Sequence, residues 1–221
     1  MMAPKYSQRV KHKSPYKLPD GTPLPGVTTV LRVLDKSTFL VPWAVRLTRE
    51  GVDPLKYRDE KAMVGTLAHA MCLTNLKGES PDTYDFSSRE IDLAENAYLK
   101  FCEWQKSHTI KPTFVEEPLI SEVYRFGGTP DFYGDIDGTM TLLDLKTGNI
   151  YPEHWFQLAA YNILLEELGH RVDQRILLNI GRDETENFVE AKRSGPALED
   201  EKGIFLNYLN IYKYKQKLKY N

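Results

Sequence analysis

Three side chains within sixteen residues could do chemistry together: Asp131, Asp144 and Lys146. Two apolar, β-rich runs flank Asp137-Gly138. Asp-Gly between such runs predicts a hairpin, because a type I′ turn needs φ > 0 at both central residues. Strand partners then mirror one another about the 137/138 step, which sets Asp131 directly opposite Asp144. Like charges directly opposite in an antiparallel pair are destabilising, so a fold that keeps both is best understood with a cation between them. Lys146 lies two residues beyond Asp144 and shares its face of the strand, while Leu143 and Leu145 point to the other face, toward a core. Two hard oxygen ligands with a lysine beside them are the makings of a divalent-ion site.

Other residues are candidates by type. His69 lies in a helical stretch, where a neutral imidazole could complete a metal shell. Glu116 and Glu117 fall within a predicted strand, and because side chains alternate at most one of them shares the acidic face. Gln157 and Tyr161 are four apart on a predicted helix and therefore one above the other. Cys72 and Cys102 form no Cys-X-X-Cys pair and are expected to be plain buried thiols.

The elements that must position these groups follow from pattern. Residues 1–26, rich in Pro, Lys and Gly, read as an extended basic arm. A short helix is expected over 27–34, with Thr28 and Thr29 at its start. A second should begin near Pro42, which suits a first turn, and carry Trp43, Arg46 and Arg49. A longer helix over 58–76 holds His69, and Gly65 within it implies a close approach. Ser87-Ser-Arg-Glu90 has capping-box spacing and opens a helix with the apolar face Ile91, Ala94, Tyr98, Phe101 and Trp104. A strand over 113–124, the hairpin, a helix over 152–168 ending at Gly169, and strands over 175–180 and 188–191 follow, with a turn at Gly181-Arg182-Asp183. A last helix runs from Pro196 through Ile211 and Leu218 into a basic tail.

The 221 residues are 41% hydrophobic, enough for one substantial core. No run reaches the ~18 apolar residues of a membrane span, and no apolar leader opens the chain. The expectation is a soluble protein of a bacterial or phage-infected host cytoplasm. Net charge is −2, but residues 1–17 and 202–221 hold ten cations and no acids. The body between them carries 19 basic and 31 acidic residues, hence −12. An acidic body with basic ends suits a metal-using enzyme that holds a polyanion by local patches.

Taken together, Gly128-Thr-Pro-Asp131, Asp144-Leu-Lys146, Gln157-X-X-X-Tyr161 and the upstream Gly65-Thr-X-X-His69 resemble the RecB-type branch of the PD-(D/E)XK nuclease superfamily. Leu24-Pro-Gly-Val-Thr-Thr-Val-Leu31 and Trp43-Ala44 are similar to the opening of phage exonucleases of that branch and of the mitochondrial genome-maintenance single-strand exonuclease. The likeness runs over about residues 24–180, and four motifs in the same order make it specific. It implies an α/β fold with a central mixed β-sheet flanked by helices, the restriction-endonuclease-like core, with an N-terminal helical part. One nuclease domain would span 1–221: a basic arm (1–26), a helical part carrying His69 (27–110), the catalytic core (111–195), and a C-terminal helix with basic tail (196–221). Asp131 and Asp144 would ligate Mg²⁺ or Mn²⁺, completed by the Leu145 carbonyl and His69. Lys146 would orient the attacking water or stabilise the transition state. Glu116 would be the acid of the preceding strand, with Glu117 one position away as the other choice. Gln157 and Tyr161 would buttress the site and touch the scissile strand. Relatives with an iron–sulfur cluster carry four cysteines around the core, so two imply a cluster-free member. The implied activity is metal-dependent exonucleolytic hydrolysis of single-stranded DNA or duplex ends, in phage or bacterial recombination, repair or replication. The competing reading is a catalytically silent nucleic-acid-binding module on the same fold.

Overall fold

A computed structural model describes residues 14–33, 37–182 and 187–219. Its centre is a five-stranded mixed sheet in the order β1-β4-β5-β6-β7. The strands are β1 (Ile110–Val115), β4 (Phe132–Ile136), β5 (Thr139–Lys146), β6 (Gln174–Ile180) and β7 (Phe188–Ser194). Only β5 and β6 pair in parallel; the other neighbours are antiparallel. Parallel strands need a crossover, and α5 (Pro152–Glu167) supplies it. A small antiparallel pair, β2 (Leu119–Ser121) with β3 (Phe126–Gly128), stands apart.

Helices cover both faces, so β5 reads as a nearly continuous buried run. On one face Tyr133, Leu142 and Leu177 pack with α1 (Val27–Leu31), α5 and α6 (Ala197–Lys219). On the other, Phe132, Leu143, Leu145 and Leu178 pack with α3 (Pro54–Lys77) and α4 (Ser88–Gln105). Alternation along β5 thus divides its side chains between two cores. The stripe expected on α4 is core: Ala94, Phe101 and Trp104 are buried, behind the Ser87–Glu90 capping box. Asp53 caps α3 by accepting from the Leu55 and Lys56 amides, with Pro54 in the first turn.

Several expectations are corrected. The segment 14–26 is not an extended arm: Lys17 bridges Pro23, the Gly127 amide donates to the Pro25 carbonyl at 2.9 Å, and Leu24 is buried. One turn, the buried Leu24 and Tyr16 packed on Gly127 dock it. The first thirteen residues, with Lys5, Arg9, Lys11 and Lys13, lie outside the described residues, as do Leu34 and Asp183. The first helix is Val27–Leu31. The second, α2 (Ser37–Arg49), takes Pro42 into its interior, where the ring leaves one i→i−4 bond unmade. The strand expected over 113–124 breaks at Glu116, whose φ of 54° turns the chain, and Pro118 cannot donate to a ladder. Cys72 is buried as expected, but Cys102 is only half-buried.

Candidate metal and nucleic-acid site

The hairpin folds in the expected register. Ile136 pairs with Thr139 and Phe132 with Leu143, so the mirror about the 137/138 step holds through the ladder. Asp137 and Gly138 take φ values of 53° and 82°, both central residues of the turn being left-handed. The Gly138 amide donates to Asp135 Oδ1 at 2.8 Å, fixing the turn further.

Asp131 stands just before β4, where its Oδ2 accepts from the Leu145 amide at 2.8 Å. This bond locks the aspartate across from β5, beside Asp144. Asp144 is buried, and its Oδ2 accepts no hydrogen bond although Lys146 Nζ is in contact with it. Lys146 Nζ also donates to Gln157 Oε1 at 3.3 Å, and Gln157 Nε2 donates to Tyr161 Oη at 2.8 Å. The i,i+4 pair on α5 is therefore the outer end of a chain running from tyrosine through amide to ammonium and carboxylate. Backbone crowding holds Tyr161 in turn: a Cβ at Gly128 would lie 2.5 Å from Tyr161 Cε1. The Gly-Thr-Pro-Asp stretch thus needs glycine for side-chain clearance.

His69 reaches the same place from α3, with Nδ1 3.9 Å from Asp131 Oδ2. What lets α3 approach is Gly65, where a Cβ would meet Thr147 Oγ1 at 2.8 Å. Glu116 lies at the edge. Its amide donates to the Asp131 carbonyl at 3.1 Å, but its carboxylate accepts from Lys77 Nζ at 3.0 Å. Glu117 is exposed beside it.

The electrostatics show a site short of positive charge. Burial first, then the Asp144 charge, pushes the Asp131 carboxyl up to about 8, against the opposing pull of Lys146 and the Leu145 amide. Burial holds the His69 imidazole below its ordinary value, which favours the neutral, ligating form. Burial and the Asp144 charge together raise the Tyr161 phenol well above its usual range.

No group of three or more His, Cys, Asp or Glu that could hold a metal assembles among the described residues. The donors present still fit one kind of ion. Mg²⁺ commonly takes one or two carboxylates and keeps water or substrate phosphate oxygens for the rest. Two aspartates, one of them buried with Lys146 against it, match that demand. A thiolate-loving ion finds nothing here.

Sequence reasoning missed the surroundings. Trp43, Tyr57, Tyr151, His154 and Arg182 join His69 and Lys146 around an open cleft of about 530 Å³. Tyr16 was missed too; it packs on Gly127 and shares a 2.9 Å hydrogen bond with Thr129. Trp43 stands out only through the motif resemblance, and no local spacing marks the others.

No family model matches the chain, and no curated protein matches it in sequence. Solved structures are similar at a distance. The alkaline exonuclease LHK-Exo from Laribacter hongkongensis aligns at 12% identity and a TM-score of 0.32, covering 70% of this chain and 84% of that one. LHK-Exo in complex with dAMP aligns at 17% and 0.32, covering 70% and 85%. The crystal structure of SSO0001 aligns at 15% and 0.31, covering 65% and 71%.

Proposed function

We propose that this chain is a Mg²⁺- or Mn²⁺-dependent deoxyribonuclease that removes nucleotides from DNA ends. The observation that carries the reading is one constellation: Asp131 and Asp144 across a hairpin, with Lys146 in contact with the buried carboxylate and oriented by Gln157. The motif resemblance to the PD-(D/E)XK nucleases supports the same chemistry.

Hydrolysis adds water across a P–O ester bond, one P–O bond forming as another breaks, and negative charge builds on the non-bridging oxygens. Lys146 offers a fixed point charge to that developing charge. Gln157 and Tyr161 act through it as positioning residues: the ammonium only donates and so takes the Oε1 end of the amide, which leaves Nε2 to donate to Tyr161 Oη. His69, neutral and half-buried, is available as a ligand or hydrogen-bonding group beside Asp131. A divalent ion would be held by Asp131 and Asp144, with the Leu145 carbonyl and His69 as the further ligands the motif resemblance implies, and when bound it would supply charge neutralisation and a more acidic water.

The direct test is incubation of the protein with end-labelled linear and circular DNA, single- and double-stranded, in Mg²⁺, Mn²⁺ or chelator. Release of nucleotides from linear DNA, lost with chelator and in Asp144→Asn, is the expected result. A protein that binds DNA in every condition and never cleaves it would instead be a binding module.

A further inference from the structure

The cleft beside the carboxylates carries information that the hydrolytic groups do not. Trp43 of α2 and Tyr57 of α3 form one wall, their ring centroids 6.5 Å apart and tilted. Tyr151 and His154, at the start of α5, form another, edge to face at 5.6 Å. Core aromatics would be enclosed, yet Tyr57 is 38% and Tyr151 51% exposed. The charged side chains lining the cleft, Lys146 and Arg182, are of one sign. Lys61 Nζ sits 5.6 Å over the Tyr57 ring. Arg182 Nη1 is turned into the cleft region by its bond to the Lys61 carbonyl at 3.2 Å. No carboxylate lines the cleft among the described residues.

Four rings and two cations, with Lys146 and His69 at one end, match a ligand made of flat π-faces joined by phosphates. Bases in a duplex are stacked on their neighbours and cannot meet these rings; unpaired bases can, and every base has a face to offer. We propose that this cleft is a stacking site for the unpaired bases of single-stranded DNA, feeding the strand's end to the carboxylates. This deepens the nuclease reading and takes its reaction from it, but the stacking claim stands on binding alone.

The test is equilibrium binding by fluorescence anisotropy, with the full chain in Ca²⁺, of labelled oligo(dT) and of a blunt duplex of equal length. The parent is expected to prefer oligo(dT) by tenfold or more. Tyr151→Ala and Trp43→Ala should each weaken oligo(dT) binding by about tenfold, the order set by losing one stacked base. Tyr151→Phe should bind like the parent, since a ring and not a hydroxyl is required. Trp43 contacts Tyr57, so its variant can fail by unfolding; the exposed Tyr151 then decides, with melting curves alongside. Parent-like binding by Tyr151→Ala and a folded Trp43→Ala, or equal affinity for the duplex, overturns the proposal. If those two lose oligo(dT) but the parent cleaves nothing in Mg²⁺ or Mn²⁺, the cleft stands and the nuclease reading falls. If the parent cleaves while both bind as it does, the reverse holds.

Discussion

At the scale of single residues, the site is a balance of opposed charges, and its members should respond differently to removal. Asp131→Asn takes away a carboxylate that burial and Asp144 hold partly protonated. We expect cleavage to vanish while the metal-free protein melts at the parent's temperature or above, checked by calorimetry and gel assay. Lys146→Ala should lower turnover by about a hundredfold, as when one transition-state donor is lost. It should also lower the melting temperature, because Asp144 is buried and loses the cation in contact with it. Adding Asp144→Asn should restore the melt without restoring activity; if the double variant melts no higher than Lys146→Ala, the pair is not what holds that region. The carboxylates and lysine were legible because turn chemistry and the two-residue period of a strand fix their faces locally. His69 was not legible from residue pattern alone. It was a candidate by type, and its approach to Asp131 depends on the close contact of Gly65 with Thr147, which no local pattern fixes.

Among the elements, the hairpin is tied to its neighbour by one turn residue. Asp137 accepts from the Thr109 amide at 2.7 Å and contacts His108 Nδ1 at 2.6 Å, joining the turn to the end of α4 and the start of β1. The His108 hydrogen bond, then the Thr109 amide, hold the Asp137 carboxyl below its usual range. A depressed carboxylate contributes stability that is present above the unfolded value of about 4 and is lost as pH falls through the folded one. Melting followed downward from neutral pH should therefore show a loss below about pH 4 that Asp137→Asn, which still tolerates the left-handed turn, does not share. Identical acid profiles would mean that the contact contributes nothing. The break at Glu116 lay beyond sequence reasoning for the opposite reason. Pro118 is a local sign that one strand cannot run through, but where the chain turns is tied to the Glu116 amide bonding the Asp131 carbonyl, fifteen residues away in the chain. The expected α5 and α6 survive nearly unchanged, since periodicity and caps are properties of the segments themselves.

For the whole molecule, one polar knot, buried at its centre, joins four elements. Arg175 on β6 is fully buried, donating to Glu201 at 2.6 Å, to Asn162 at 2.7 Å and to the Leu198 carbonyl at 3.0 Å. Glu201 also pairs with Arg193, whose guanidinium lies 4.3 Å over the Trp155 ring. Removing one partner of a buried pair costs about 3–5 kcal/mol. Arg175→Ala should therefore approach that loss in urea unfolding, and Arg175→Met, which fills the space, should lose less only if Glu201 relaxes toward Arg193. No residue spacing announces such a knot; it exists only once β6, β7, α5 and α6 are packed. The charge map makes a separate expectation. On α6, Ile211 and Leu218 are 44% and 77% exposed, while Phe205 and Leu209 are its residues in the core. Truncation after Lys213 should leave the melt near the parent's. It removes three lysines, so the slope of log affinity against log salt for single-stranded DNA should become shallower by up to about 2. An unchanged slope would show that the tail takes no part in binding.

The long helix α3 has a consequence for how this protein can change in length. Its 24 residues make a rod about 36 Å long. Along it Tyr57 borders the cleft, Gly65 meets Thr147, His69 stands by Asp131 and Lys77 holds Glu116. Four tasks at separations divisible by four form a graduated ruler. One alanine inserted between Met63 and Val64 would swing everything upstream through about 100° relative to everything downstream. A helix can absorb such an insertion as a bulge and stay folded, yet the cleft and the carboxylates would no longer belong to one track. The exposed stretch after Glu79 should accept the same insertion without effect. Substitution can explore the exposed face of this rod; gain or loss of a single residue shifts every face at once.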